Sequence, residues 1–220
     1  MRSRAAGTSA ATATAVRRKP RQLGLTFRTW GGKRKGAGRK PEGGRPGVPH
    51  RPRPDFARRL PVHVTLRMAA HVYNLRSRRS FRLIEKALRE GGADRFGVQV
   101  VKFSVQGNHV HLLVEAEGRS ALARAVKGLS VRLARKLNAL MSRRGQVLGD
   151  RYHAHLLRTP TELKRALHYI RDNARRHASA WGDRLPPQWI DPYSSESPAL
   201  TIVLPAPRTW LLRAGWRHAP

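Results

Sequence analysis

The run from Val101 to Ala116, VKFSVQGNHVHLLVEA, constrains the fold more than any other part of the 220-residue chain. Apolar and polar residues alternate on both sides of Gln106-Gly107-Asn108, the pattern of two strands joined by a turn. Strands are read at Val98 to Ser104 and His109 to Glu115. Successive side chains of a strand point to opposite faces, so Val110, Leu112 and Val114 share one face and His109 and His111 the other. The first face suits a packed core. The second offers two imidazoles as ligands for a divalent metal, although a His-x-His pair by itself is more often a pair of hydrogen-bonded strand histidines.

The segment from Leu60 to about Ala178 has the size of an ordinary domain. Pro61 to Arg67 alternates as a strand, and Ser80 to Glu90 sets Phe81, Ile84 and Leu88 at helical spacing before Gly91-Gly92 stops the helix. Ser120 to Arg144 reads as a long amphipathic helix through Leu122, Val126, Leu129, Leu133, Leu137 and Leu140. Arg151 to Arg158 alternates again. Thr159-Pro160-Thr161-Glu162 then combines an N-cap Thr, a Pro at the first helical position and a Glu at the third, which is a capping box. In the helix that follows, Leu163, Leu167, Ile170 and Ala174 share a core stripe, and Tyr169 and Asn173 form a second stripe beside it. This order of elements predicts an α+β fold of the ferredoxin-like kind: an antiparallel sheet with helices gathered on one side.

Charge narrows the partner. With 45 Lys and Arg against 13 Asp and Glu, the formal net charge is +32, and so basic a chain attracts polyanions and gains affinity by displacing counterions from phosphates. Residues 1–59 hold 17 of the 45 cations and only two acids among Gly, Pro, Ala and Thr, the composition of a disordered basic tail. Arg39 and Arg45 stand beside glycine and proline in Gly38-Arg39-Lys40-Pro41 and Gly44-Arg45-Pro46, short matches to minor-groove hooks, with non-specific phosphate binding the favoured reading. The long helix presents Arg124, Lys127, Arg132, Arg135, Lys136, Arg143 and Arg144 with no acid between Ser120 and Arg144, a cationic face that calls for an anion along it. No apolar run approaches the roughly 20 residues of a membrane span. Met1 to Lys19 lacks the apolar region of a secretory signal, and the absence of cysteine excludes disulfides and thiolate chemistry. These features fit a cytoplasmic, nucleoid-associated protein.

Gly107-Asn108-His109-Val110-His111-Leu112-Leu113, Tyr169-Ile170-Arg171-Asp172-Asn173 and Asp150-Arg151-Tyr152-His153 occur in that domain in the order found in a known family. The chain resembles the HUH single-tyrosine transposases, most closely the REP-associated tyrosine transposases, across Leu60 to Ala178. Ala174 departs from the family's frequent proline after Asn173, which leaves the helix free to run on. The resemblance implies a catalytic domain over residues 60–178, followed by a C-terminal extension at 179–220. It implies a metal-dependent endonuclease and strand transferase acting on single-stranded hairpin or palindromic DNA, as monomer or homodimer. Tyr169 would be the nucleophile, forming a 5′-phosphotyrosine, and His109, His111 and Asn173 would hold Mg²⁺ or Mn²⁺.

Other readings remain open from the residues. His63 and His155 are alternative metal ligands, and Glu115 shares the histidines' face by parity, while Glu162 lies two turns before Tyr169; both acids have a structural reading as well. A second function is a non-catalytic DNA-binding protein that keeps the transposase fold. A third, a basic RNA- or ribosome-binding protein, leaves the histidine pair and Tyr169 unexplained.

Overall fold

The computed structural model describes residues 55–92 and 97–220. Arg39, Arg45 and nearly all of the expected basic tail lie outside them. The elements follow as β1 (Leu60–Arg67), α1 (Arg78–Gly92), β2 (Val98–Val105), β3 (His109–Ala116), α2 (Arg119–Leu140), β4 (His153–Leu156), α3 (Pro160–Ala180), the short helix α4 (Trp210–Arg213) and a final 3₁₀ turn (Gly215–His218). The sheet order is β2-β3-β1-β4, with every neighbouring pair antiparallel. Strands consecutive across a helix are therefore separated by one other strand, as two interleaved split βαβ units require. The α+β class and the antiparallel sheet stand as read from the sequence.

The helices divide between the two faces. Val62, Val64 and Leu66 of β1 and Val110, Leu112 and Val114 of β3 face α1 and α2, meeting Ile84, Leu88, Leu122, Val126, Leu129, Leu133 and Leu137 in the larger core. The opposite parity carries Val101, Leu113 and Leu157, which α3 covers through Leu163, Ala166 and Ile170. One-sided packing would have left these apolar groups in water, at roughly 25 cal/mol per Å². The arrangement expected from sequence, with all helices on one side, thus holds for α1 and α2 but not for α3.

Local chemistry sets the ends of these elements. Thr159 Oγ1 accepts from Glu162 N at 3.2 Å, and Glu162 Oε2 accepts from Thr159 N at 3.1 Å, so the capping box starts α3 as its sequence demands. Glu162 is thereby engaged structurally. α2 stops at Leu140 rather than reaching Arg144, because Ser142 takes a left-handed conformation (φ 51°) and Arg143 N turns back to Asn138 O. β4 is also shorter than the alternation from 151 to 158, since only His153 to Leu156 pair with Val62 to Thr65 of β1. Beyond α3 the chain wraps back onto the domain. Ser195 N donates to Phe103 O and Val105 N to Tyr193 O along the outer edge of β2, while Ile202 and Leu212 enter the two cores.

Candidate active site

The α3-covered face of the sheet collects the residues that the sequence singled out. β1 and β3 are paired so that Thr65 stands opposite His111 and His63 opposite Leu113. Antiparallel register puts Thr65, His63, His111 and His109 on one face. From above, α3 runs Tyr169, Asn173 and His177 at four-residue steps along the side facing it. The Tyr169 ring lies edge-on to His111, with centroids 5.1 Å apart, and to His63 at 5.8 Å, whereas His177 reaches His109 at 5.9 Å. Asn173, one turn from each and buried, therefore sits on the helix between the two imidazole contacts.

Each strand histidine is held by one nitrogen. His109 Nδ1 meets Asn108 Oδ1 at 2.8 Å, which makes Nδ1 the protonated nitrogen and leaves Nε2 its lone pair. His111 Nδ1 lies 3.1 Å from His63 Nε2 and 3.2 Å from Thr65 Oγ1. His111 Nε2 is buried without a hydrogen-bond partner, and so is Asn173 Nδ2. Buried polar atoms are normally satisfied, so two orphans on facing elements mark a place where something other than protein completes the site.

Charge is kept out of this cluster. Burial, followed by the neighbouring His109, His63 and His177, lowers His111 from 6.5 to about 3. Burial, then His177 and Arg67, lowers His109 to about 4, and burial, then His153 and His155, lowers His63 to about 4. All three imidazoles are neutral at neutral pH, the state in which imidazole ligates metal. Among the described residues no three His, Cys, Asp or Glu side chains converge as a metal cage. A two-imidazole and carboxamide set does not need such a trio: the unpartnered His111 Nε2 fits it, and Asn173 would contribute its carboxamide oxygen, its unpartnered Nδ2 being a hydrogen-bond donor and not a ligand.

The other sequence candidates fall elsewhere. His155, opposite His63 in the sheet, lines an adjoining cleft of about 720 Å³ that shares His63 and Tyr169 with the cluster and adds Glu162, Arg165 and Arg176. Glu115 shares the histidines' parity but is fully buried, accepting from Gln99, Arg208 and Thr209. The α2 cations lie across the sheet from Tyr169. Arg124, Lys127 and Arg135 are exposed there, whereas Lys136 is ion-paired with Glu90 of α1 at 3.0 Å and Arg132 packs over Gly91. Arg143 and Arg144 follow the helix in its closing loop. Sequence reasoning passed over Thr65 and His177. The i+4 spacing from Tyr169 through Asn173 to His177 was the signal for the second, but Thr65 needed the strand pairing.

Comparisons with known proteins bear on the fold and the family. A REP-associated tyrosine transposase solved bound to a REP hairpin superposes with a TM-score of 0.52 over 68% of this chain and 83% of that one, at 14% identity, a likeness of fold. A crystal structure from Deinococcus radiodurans R1, assigned to the transposases, covers 60% of this chain and 95% of its own at 16% identity and a TM-score of 0.39. No curated protein matches. The sequence profile described as "Transposase IS200 like" matches residues 60–173, more than half of the chain and the whole span from β1 to Asn173, and so the protein belongs to the IS200-like transposase family.

Proposed function

We propose that this transposase is a tyrosine-dependent, metal-assisted nuclease and strand transferase for single-stranded DNA, with Tyr169 as nucleophile. The observation that carries the reading is the meeting of Tyr169 with His111, whose buried Nε2 has no hydrogen-bond partner, one helical turn from the buried carboxamide of Asn173. His109, His111 and Asn173 would hold a divalent ion, Mg²⁺ or Mn²⁺, which when bound supplies Lewis-acid polarisation of a non-bridging oxygen of the scissile phosphate. Thr65, His63 and Asn108 orient the imidazoles through Nδ1. The Tyr169 oxygen loses its proton and bonds to phosphorus as the P–O3′ bond breaks, and the departing 3′ oxygen takes a proton. The product is a 5′-phosphotyrosine and a free 3′-OH, and attack by a second 3′-OH reverses the exchange at a new junction. Arg165 and Arg176 line the cleft on the outer side of Tyr169 and supply positive charge for the DNA backbone there. The substrate class, hairpin or palindromic DNA, follows from the resemblance, and the solved REP-associated relative was bound to a REP hairpin.

The test is covalent trapping. Wild-type protein should form a denaturation-resistant adduct with labelled hairpin DNA, lose it in chelator and regain it with Mg²⁺ or Mn²⁺. Tyr169→Phe should bind but form no adduct, and His109→Ala combined with His111→Ala should lose both metal affinity and cleavage. An adduct at wild-type level from Tyr169→Phe removes the nucleophile assignment. DNA binding by wild-type protein with no adduct under any metal would instead favour the non-catalytic DNA-binding reading.

A further inference from the structure

A second cleft, of about 720 Å³, opens on the His109 side of the site; it shares His109 and Asn108 with the site, and the rest of its wall has no part in the chemistry above. Its size lies within the roughly 300–1,000 Å³ of small-molecule pockets. Two indoles, Trp181 and Trp189, stand in its wall together with Val72, Ala174 and Leu185. Trp181 is 85% exposed, the most exposed aromatic side chain among the described residues. So large an apolar surface left in water at the rim of a site points to a flat partner.

The wall around Trp181 is built rather than loose. α3 continues for almost two turns past Asn173, which Ala174 permits and a proline would have prevented, and Trp181 caps its end. Gly182, with φ +88°, turns the chain back. The Arg175 guanidinium then donates to the carbonyls of Leu185, Pro186, Pro187 and Trp189 at 2.8 to 3.2 Å, and Arg76 pairs with Asp191 at 2.9 Å. The loop carrying Trp189 is thus pinned at both ends. On the facing wall, Asn108 Oδ1 is bound by His109 and Asn74 Oδ1 accepts from Arg76 N at 2.9 Å. Both carboxamides are therefore oriented, and their NH₂ groups have no protein acceptor among the described residues. Apolar planes flanked by fixed amide donors match the face and edge of a nucleobase.

We propose that this cleft receives one unpaired base of the DNA strand next to the scissile phosphate, stacked on Trp181 with its acceptor edge toward the amides of Asn74 and Asn108. The inference rests on the Proposed function, because the phosphate position is set by His109, a residue common to the site and the cleft. It adds a reason for selecting single strands: a paired base cannot leave its duplex to enter the cleft without a cost of a few kcal/mol. A free apolar ligand would leave the two amide groups unmatched, and a peptide finds no carboxylate or exposed strand edge in this wall.

The full-length protein is titrated with an oligo-dT strand and with an abasic strand of equal length, which has the same phosphates and no bases. Trp181→Ala should weaken oligo-dT binding by about 5- to 100-fold, the loss expected of one stacked base, and leave abasic binding unchanged. Trp181→Phe should recover most of the loss. Photo-crosslinking of a 5-iodouracil strand should modify the peptide containing Trp181. Equal losses on both strands, or an unchanged ratio with no cross-link at Trp181 or Trp189, overturn the base pocket. The adduct assay on the same samples separates the two readings: adduct without base dependence removes only this inference, and base-dependent binding without adduct in wild type removes only the strand-transfer reading.

Discussion

Glu115→Gln is the substitution whose cost the structure defines most closely. The carboxylate is fully buried and its two oxygens divide four donors evenly. Oε1 accepts from Thr209 N and Thr209 Oγ1, both at 2.6 Å, while Oε2 accepts from Gln99 Nε2 at 2.6 Å and Arg208 N at 2.8 Å. A glutamine of the same shape must turn its NH₂ toward one of these pairs, so two donors face a donor in either orientation. The Thr209 hydroxyl is free to rotate away, which leaves at least one buried N–H without an acceptor and reduces the charge assistance of the rest. At about 1–3 kcal/mol for each buried group left unpaired, the loss is about 2–5 kcal/mol, a large share of a typical domain's stability. In urea the unfolding midpoint should fall accordingly, and Tm should drop by about 5–15 °C for a chain of this size. Thr209→Val, which removes one hydroxyl, should cost only about 1 kcal/mol. The C-terminal strap held by Glu115 places Leu212 and Trp216 against α3 beside Ile170 and Tyr169, so proteolysis after residue 200 should accelerate before global unfolding. A Glu115→Gln midpoint within about 0.5 kcal/mol of wild type would refute the reasoning.

The remaining predictions concern protons, the helix start and the tail. Because burial holds His63, His109 and His111 well below their unfolded value of 6.5, the unfolded chain takes up protons that the native state refuses; metal-free stability is therefore full above pH 6.5 and falls as pH drops toward 4. Urea midpoints in chelator that stay flat from pH 7 to 4.5 would contradict this, and metal affinity should persist below pH 6 where ordinary imidazoles lose it. Thr159→Ala removes the cap of α3 and should lower stability by about 1 kcal/mol, read by thermal unfolding. Phe56 packs on the core and Arg59 pairs with Glu117, so a truncation testing the tail should remove residues 1–54 only. It should weaken binding to all DNAs and flatten the slope of log affinity against log salt, by up to about 0.9 per lost duplex phosphate contact, with the ratio of hairpin to random DNA unchanged. A collapse of that ratio would make Arg39 and Arg45 specificity residues.

Local periodicity and short-range chemistry made much of this protein legible in one dimension. The alternation in β3 placed His109 and His111 on one face because strand geometry leaves no other choice, and the Thr159 box started α3 because those groups lie three residues apart. The four-residue step from Tyr169 to Asn173 likewise assigned both to one side of a helix. What a period cannot say is which side of the sheet a helix takes. Only the second apolar set, Val101, Leu113 and Leu157, needing cover of its own, brought α3 over the histidines and left the α2 cations on the far face. The pairing of His63 and Thr65 with His111, the end of α2 at Leu140 and the burial of Glu115 under a strap more than ninety residues away are set by contacts between distant segments. Sequence spacing records neighbours along the chain. Desolvation, register and the closing of remote segments act across it, so the neutral imidazoles and the Trp181 cleft belong to the tertiary structure alone.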